Sequence, residues 1–260
     1  MKTEIFIKEI GNTPLIVAAI HNGHEVSLKV RDLFLLDDSE RLREEDPFTE
    51  IWTHITDTRI VVPKSRFEVD LNRPRDKALY LKPEDAWGLN IWKTEPGTEM
   101  ITNSLEYYDN FYSNILILLK KFEARFGKFV VFDIHSYNHR RDGSNEQPAN
   151  SKENPEVNIG TGTMDRNIWA PVIDRFISDL KKYNFQDRNL DVRENVKFRG
   201  GNFSRWIHEN FPESGCSIAI EFKKFFMDEW SGEPDNAVIE DIKSALKSTV
   251  PGVLLELKNL

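Results

Sequence analysis

His21 and His135 each stand directly after a short apolar run, PLIVAAI (14–20) and KFVVFDI (128–134), and a third run, CSIAIEF (216–222), carries Glu221 near its end. Imidazoles are ligands for borderline metals and a carboxylate is either a ligand or a proton carrier, so these residue types match a zinc site with one position left open for water. Taken singly, a histidine after an apolar run is more often a hydrogen-bonded structural residue than a ligand; the coincidence of three such positions favours the metal. Asp133, two residues before His135, is either an ordinary strand residue or the group that fixes the imidazole tautomer.

A second concentration of chemistry is SRFEVDLNRPR (65–75), where Arg66, Asn72, Arg73 and Arg75 lie close together and Pro74 stops continuation into a helix. A guanidinium grips a carboxylate with two parallel bonds and a neighbouring amide adds a directional one, so the stretch suits capture of an acidic substrate. The alternative is a solvated loop balanced by Glu68, Asp70 and Asp76. Arg140 and Arg141 offer a further carboxylate contact or are ordinary loop charges. His54, His139 and His208, and the tryptophans Trp87, Trp92 and Trp206, read as structural or packing residues.

These residues need a frame that brings strand ends together. The β-branched runs 14–20, 59–63, 128–134 and 216–222 are short enough for buried strands. Between them, Leu105, Tyr108, Phe111, Ile115, Leu119, Phe122 and Phe126 repeat at helical spacing, as do Ile168, Val172, Phe176, Leu180 and Tyr183, and a last helix occupies much of 235–248. Alternating strands and helices predict an α/β fold of three layers, a mixed, mostly parallel sheet with helices on both faces, in one domain over 1–260. Ligands in such folds sit at the carboxyl ends of strands. Residues 140–163 are polar, rich in Pro and Gly and without period, which predicts a long irregular loop, either a lid or a surface excursion.

Composition removes several functions. A net charge of −8 argues against coating nucleic acid or an anionic membrane. The single cysteine, Cys216, excludes an internal disulfide or a multi-thiolate zinc site and fits a reducing compartment. The first 20 residues carry Lys8, Glu9 and Pro14 within their apolar stretch and do not read as a signal peptide. No segment approaches the ~18 apolar residues that cross a bilayer. The expectation is a soluble, cytoplasmic protein.

The ordered segments AAIHNGHE, SRFEVDLNRPR, FDIHS, NIGTGT, KFRGGNFSRW and IAIEFKKFFMDE together resemble the N-formylglutamate amidohydrolase family, a branch of the zinc carboxypeptidase and aspartoacylase-like hydrolases. The DLNR stretch is the most specific of them. The resemblance implies a carboxypeptidase-like α/β fold, one Zn2+ (or another divalent metal such as Fe, Co or Mn), and hydrolysis of an amide. His21 and His135 match the family's histidine positions and so take metal-ligand roles. For the third ligand the resemblance favours Asp46, in REEDPFTEIW, over His24, with Glu25 next; the wider group's HxxE element is displaced here, since position 24 is His and the acid comes one later. Glu221 matches the general base and acid, Arg66 is the candidate oxyanion cation, and Asn72 and Arg73 match the substrate-carboxylate clamp. Gly200 and Gly201 are candidates for close backbone approach to substrate. The substrate so implied is a small N-acyl amino acid, N-formyl-L-glutamate foremost. Two rivals stand beside it: a carboxypeptidase- or aminoacylase-like hydrolase for larger carboxylate-bearing molecules, and a catalytically silent relative. The latter is expected to lack the base or a zinc histidine, and all three are present here.

Overall fold

The four apolar runs form strands β2 (Leu15–Ala19), β3 (Thr58–Val61), β4 (Phe129–Tyr137) and β7 (Gly215–Lys223) of one seven-stranded sheet. The computed structural model describes residues 11–260 and the backbone of Phe6–Ile7; the rest of the N-terminal stretch assessed above for a leader lies outside the described residues. Completing the sheet are β1 (Phe6–Ile7), β5 (Val157–Gly160) and β6 (Val192–Glu194), in the order β1-β3-β2-β4-β7-β5-β6. β3, β2, β4 and β7 are mutually parallel, while β1 joins β3 and β5 joins β7 antiparallel. β5 and β6 run parallel. The mixed, mostly parallel sheet is therefore present.

Helices α1 (Leu28–Arg31), α2 (Asp38–Glu44), α3 (Thr49–Thr53), α4 (Thr98–Phe126), α5 (Arg166–Lys182), α6 (Asn202–Asn210) and α7 (Asn236–Asn259) cover it. The strand period of two sorts side chains between faces. Leu15, Val17, Val130, Phe132 and Ile134 pack with Trp52 of α3 and with α5 and α7, whereas Ile16, Ala18, Phe129 and Val131 pack with α4 and α6. β2 and β4 are buried along their whole length, as a strand covered on both faces must be. By the same period Asp133 and His135 share the α6 face.

Two elements depart from the sequence expectation. Residues 157–160 of the expected loop form β5, fully buried, because Asn158 satisfies its amide on the 197–198 backbone instead of in water. The last helix continues beyond 248 to Asn259 through Pro251, since Val253 and Leu257 still bury against the core. At this level Gly252 lets α7 approach Asp179 and Arg175 of α5, where a Cβ would stand 2.2 Å from Asp179 Oδ2.

Candidate active site

β2 ends one residue before Ile20, so His21 emerges at the carboxyl edge of the sheet and is 2% exposed. β4 runs alongside in parallel and presents His135 at the same edge, its ring centroid 4.9 Å from that of His21. The third group comes from outside the sheet. α2 is locked at its start by an Asp37–Glu40 capping box and delivers the chain to Asp46, whose backbone N–H donates to the His21 carbonyl at 3.0 Å. Buried Lys224, just past β7, fixes this strap by donating to the carbonyls of Arg43 and Glu45 at 2.5 and 2.7 Å. Asp46 Oδ2 then lies 3.5 Å from His21 Nδ1 and 3.1 Å from His135 Nδ1.

These spacings suit a cation. Three donors of a tetrahedral zinc, each at ~2.1 Å, stand ~3.4 Å apart. The three donor atoms here lie within 4.8 Å of one another and all three residues are buried. Each imidazole is also held from behind, His21 Nε2 by Asp70 Oδ1 at 2.7 Å and His135 Nε2 by Asp133 Oδ1 at 2.9 Å. A carboxylate on Nε2–H leaves the Nδ1 lone pair for a metal, the arrangement that metal-binding histidines usually have. Ser136 Oγ donates to Asp46 Oδ1, and Ser204 Oγ of α6 to Asp133 Oδ2. His21, Asp46 and His135 can therefore hold a metal.

The electrostatics follow from burial and crowding. Burial pushes Asp46 up, but hydrogen bonds from His135 and His21 outweigh it and hold its carboxyl well below the usual range. Burial would lower His135, yet the charge of Asp133 raises it well above an ordinary histidine. Glu221 is pushed up to about 7, chiefly by burial, with His135 opposing the shift. It is the direct cross-strand neighbour of His135, so the two side chains share a face and a level. Among the described residues no hydrogen bond reaches its carboxylate, which leaves it free to exchange a proton.

These groups line a pocket of about 260 Å³ whose walls include Arg66, Asn72, Arg73, Trp87, Arg141, Gly200 and Gly201. Arg66 donates to Asp70 Oδ2 at 2.8 Å, and that charge, against the cost of burial, raises the guanidinium further. Asn72 accepts from Phe203 N at 2.9 Å, and its Nδ2 lies 3.4 Å from His135 Nε2. Arg73 spends one contact on the Asp85 carbonyl at 3.3 Å. Arg75 does not join them; it pairs with Asp109 on the surface. Arg141 enters the wall, tied to Glu44 at 3.0 and 2.9 Å.

His24, the other candidate ligand, lies outside this group. Its Nδ1 bonds Glu45 Oε2 at 2.6 Å, its ring faces Arg41, and with Glu25 it lines a separate pocket beside Arg59 and Pro63. The turn after His21 sets the side chains at 24 and 25 in that second pocket, so among the described residues Asp46 completes the group. His208 is structural, accepting from Ser217 N at 3.0 Å and so joining α6 to β7. Asp70, Ser136, Ser204, Asn138 and Lys224 were not singled out from sequence as site residues. Asp70 alone carried a usable signal, its four-residue spacing from Arg66 in the DLNR stretch.

Residues 13–227 match the family profile described as N-formylglutamate amidohydrolase. The chain belongs to that family. As an N-formylglutamate amidohydrolase family member it is an amidohydrolase, and its fold has solved counterparts. An N-formylglutamate amidohydrolase from Ralstonia eutropha JMP134 superposes with a TM-score of 0.70 at 15% identity, covering 98% of this chain and 97% of that one. A gene product from Agrobacterium tumefaciens superposes at 0.63 with 15% identity over 93% and 92%. No curated protein matches the sequence. Among the described residues no helix is long and apolar enough to cross a membrane.

Proposed function

We propose that this family member is a zinc-dependent amidohydrolase that cleaves a small N-acyl amino acid, N-formyl-L-glutamate to formate and glutamate. The observation that carries the proposal is the buried His21–Asp46–His135 group with Glu221 beside it on the next strand, in a pocket whose wall bears guanidiniums. His21, Asp46 and His135 would hold a divalent ion, which when bound would supply Lewis-acid polarisation and lower the pKa of water from about 16 towards about 7. Glu221, poised by burial near neutrality, takes a proton from the attacking water and returns it to the leaving amine. Arg66, steered by Asp70 and Tyr80, meets the negative charge that grows on the carbonyl oxygen. Asn72 and Arg73 hold the substrate α-carboxylate and thereby select chain ends over internal amides. Asp70 and Asp133 act through the histidines as positioning residues.

Release of formate and free glutamate from N-formyl-L-glutamate, set beside release of amino acids from C-terminally free peptides, tests the reading. Turnover of the formyl amino acid is expected. Turnover of peptides alone would assign the site to the carboxypeptidase-like alternative.

A further inference from the structure

We propose that Trp87 is a positioning residue for the reaction: its indole holds the Arg66 guanidinium in place and keeps bulk water off one face of it. This role rests on the amidohydrolase reading, in which Arg66 meets the charge growing on the carbonyl oxygen. Arg66 is fixed within its own plane. Its Nε donates to the Tyr80 hydroxyl at 3.2 Å, one terminal nitrogen to the Glu44 carbonyl at 3.4 Å and the other to Asp70 Oδ2 at 2.8 Å. Three of the five N–H donors of the guanidinium are thus spent, leaving one on each terminal nitrogen for a ligand. Bonds in the plane leave the faces of the cation open, and Trp87 covers one of them, its ring centroid 5.0 Å from Arg66 Cζ. The same ring lies 5.5 Å from Cζ of Arg141, whose nitrogens grip the Glu44 carboxylate, so one indole joins two walls of the pocket. The ring quadrupole attracts a cation more strongly where water is excluded. A cation held still and shielded in this way stabilises a developing oxyanion better than a mobile, solvated one.

The backbone points to the same residue independently. Trp87 stands at φ 54°, ψ 24°, in the left-handed region, and Gly88 follows at φ 88°. A bulky side chain is strained there, and such strain persists only where the surroundings impose it. The imposing contacts are local. Gly88 N donates to the Pro83 carbonyl and Leu89 N to the Ala86 carbonyl, both at 2.8 Å, and the Asp85 carboxylate accepts from Leu81 N and Lys82 N at 3.2 and 3.0 Å. Ala86 is buried in a small cluster with Phe34, Phe67 and Tyr80, which anchors the turn. Burial does not explain why the turn carries a tryptophan: Trp87 is 45% exposed, and its Nε1 makes no hydrogen bond among the described residues. Glycine would fit this backbone better. What the indole does touch is the two guanidiniums and the edge of the Tyr80 ring, 6.0 Å between centroids. Tyr80 is itself a partner of Arg66, so the indole bears on that cation directly and through the phenol.

The test measures kcat and KM of the zinc-loaded protein for N-formyl-L-glutamate, with Tm alongside, in the wild type, Trp87→Gly, Trp87→Phe, Arg66→Ala and the double variant Trp87→Gly/Arg66→Ala. Trp87→Gly relieves the left-handed backbone, so Tm is expected to stay within about 3 °C of the wild type. Its kcat is expected to fall about 3- to 30-fold, with KM changed less. Trp87→Phe keeps a ring face and is expected to recover most of that loss. In the Arg66→Ala background the same Trp87→Gly change is expected to lower kcat by less than about 2-fold, because its effect runs through the guanidinium. Wild-type kcat in Trp87→Gly, no recovery in Trp87→Phe, or a loss as large without Arg66 as with it overturns the positioning role and leaves the amidohydrolase reading standing. A wild type that does not turn over N-formyl-L-glutamate overturns both.

Discussion

Glu221 and Asp133 show how burial turns ordinary carboxylates into specialised ones. Glu221 lies in a pocket wall with no donor to its oxygens among the described residues, and burial favours its neutral form; Asp133, fully buried, accepts from His135 and Ser204 and serves as an anchor. Replacing Glu221 by Gln is expected to lower kcat by ~10²–10⁴-fold while zinc binding persists, as metal analysis beside a rate assay will read. The same residue gives a pH signature. Its folded-state value is raised from 4.5 to about 7, so in metal-free protein its contribution to stability is complete below pH 4.5 and is lost as pH rises through 7. Denaturant unfolding of metal-free wild type and Glu221→Gln across that window should show the gap between them opening in favour of the variant. For Asp133→Asn, the loss of the carboxylate behind His135 is expected to weaken metal affinity ~10–100-fold, measured by competition with a chelator.

Among elements, close approaches decide where change is tolerated. A Cβ at Gly201, at the head of α6, would lie 2.2 Å from Asn72 Oδ1 and 2.3 Å from its Nδ2. Gly201→Ala must therefore displace the proposed clamp, and a shift of an ångström there costs on the order of 10²-fold in kcat/KM. Gly252→Ala meets instead the ends of the Arg175–Asp179 pair far from the pocket; it should lower stability by about 1 kcal/mol in thermal unfolding and leave turnover unchanged. The strands at 14–20, 59–63, 128–134 and 216–222 were legible because continuous β-branched burial leaves a pattern in the sequence. β5 was not, because VNIG is brief and its buried Asn158 is made tolerable only by a loop forty residues away. His21, His135 and Glu221 were legible as polar residues ending apolar runs. Asp46 had no such local mark: a contact between distant segments, its N–H on the His21 carbonyl, places it, and only family resemblance favoured it over His24.

The whole molecule carries a net charge of −8 yet gathers Arg66, Arg73, Arg141 and Arg199 around one pocket, so a local field there would favour the proposed anionic substrate despite the overall repulsion. Its core strands β2 and β4 bring His21 and His135 to Asp46, so a metal held by the three would add to the stability of the fold. Zinc at a hundredfold excess over its dissociation constant should stabilise the fold by about 2.7 kcal/mol, seen as a rise in Tm that a chelator reverses. The most direct measurement is calorimetric titration of metal-stripped protein with Zn2+, comparing wild type with Asp46→Ala and His24→Ala. The account predicts one site in the wild type, lost in Asp46→Ala and kept in His24→Ala; zinc binding retained without Asp46, or lost with His24, would contradict it.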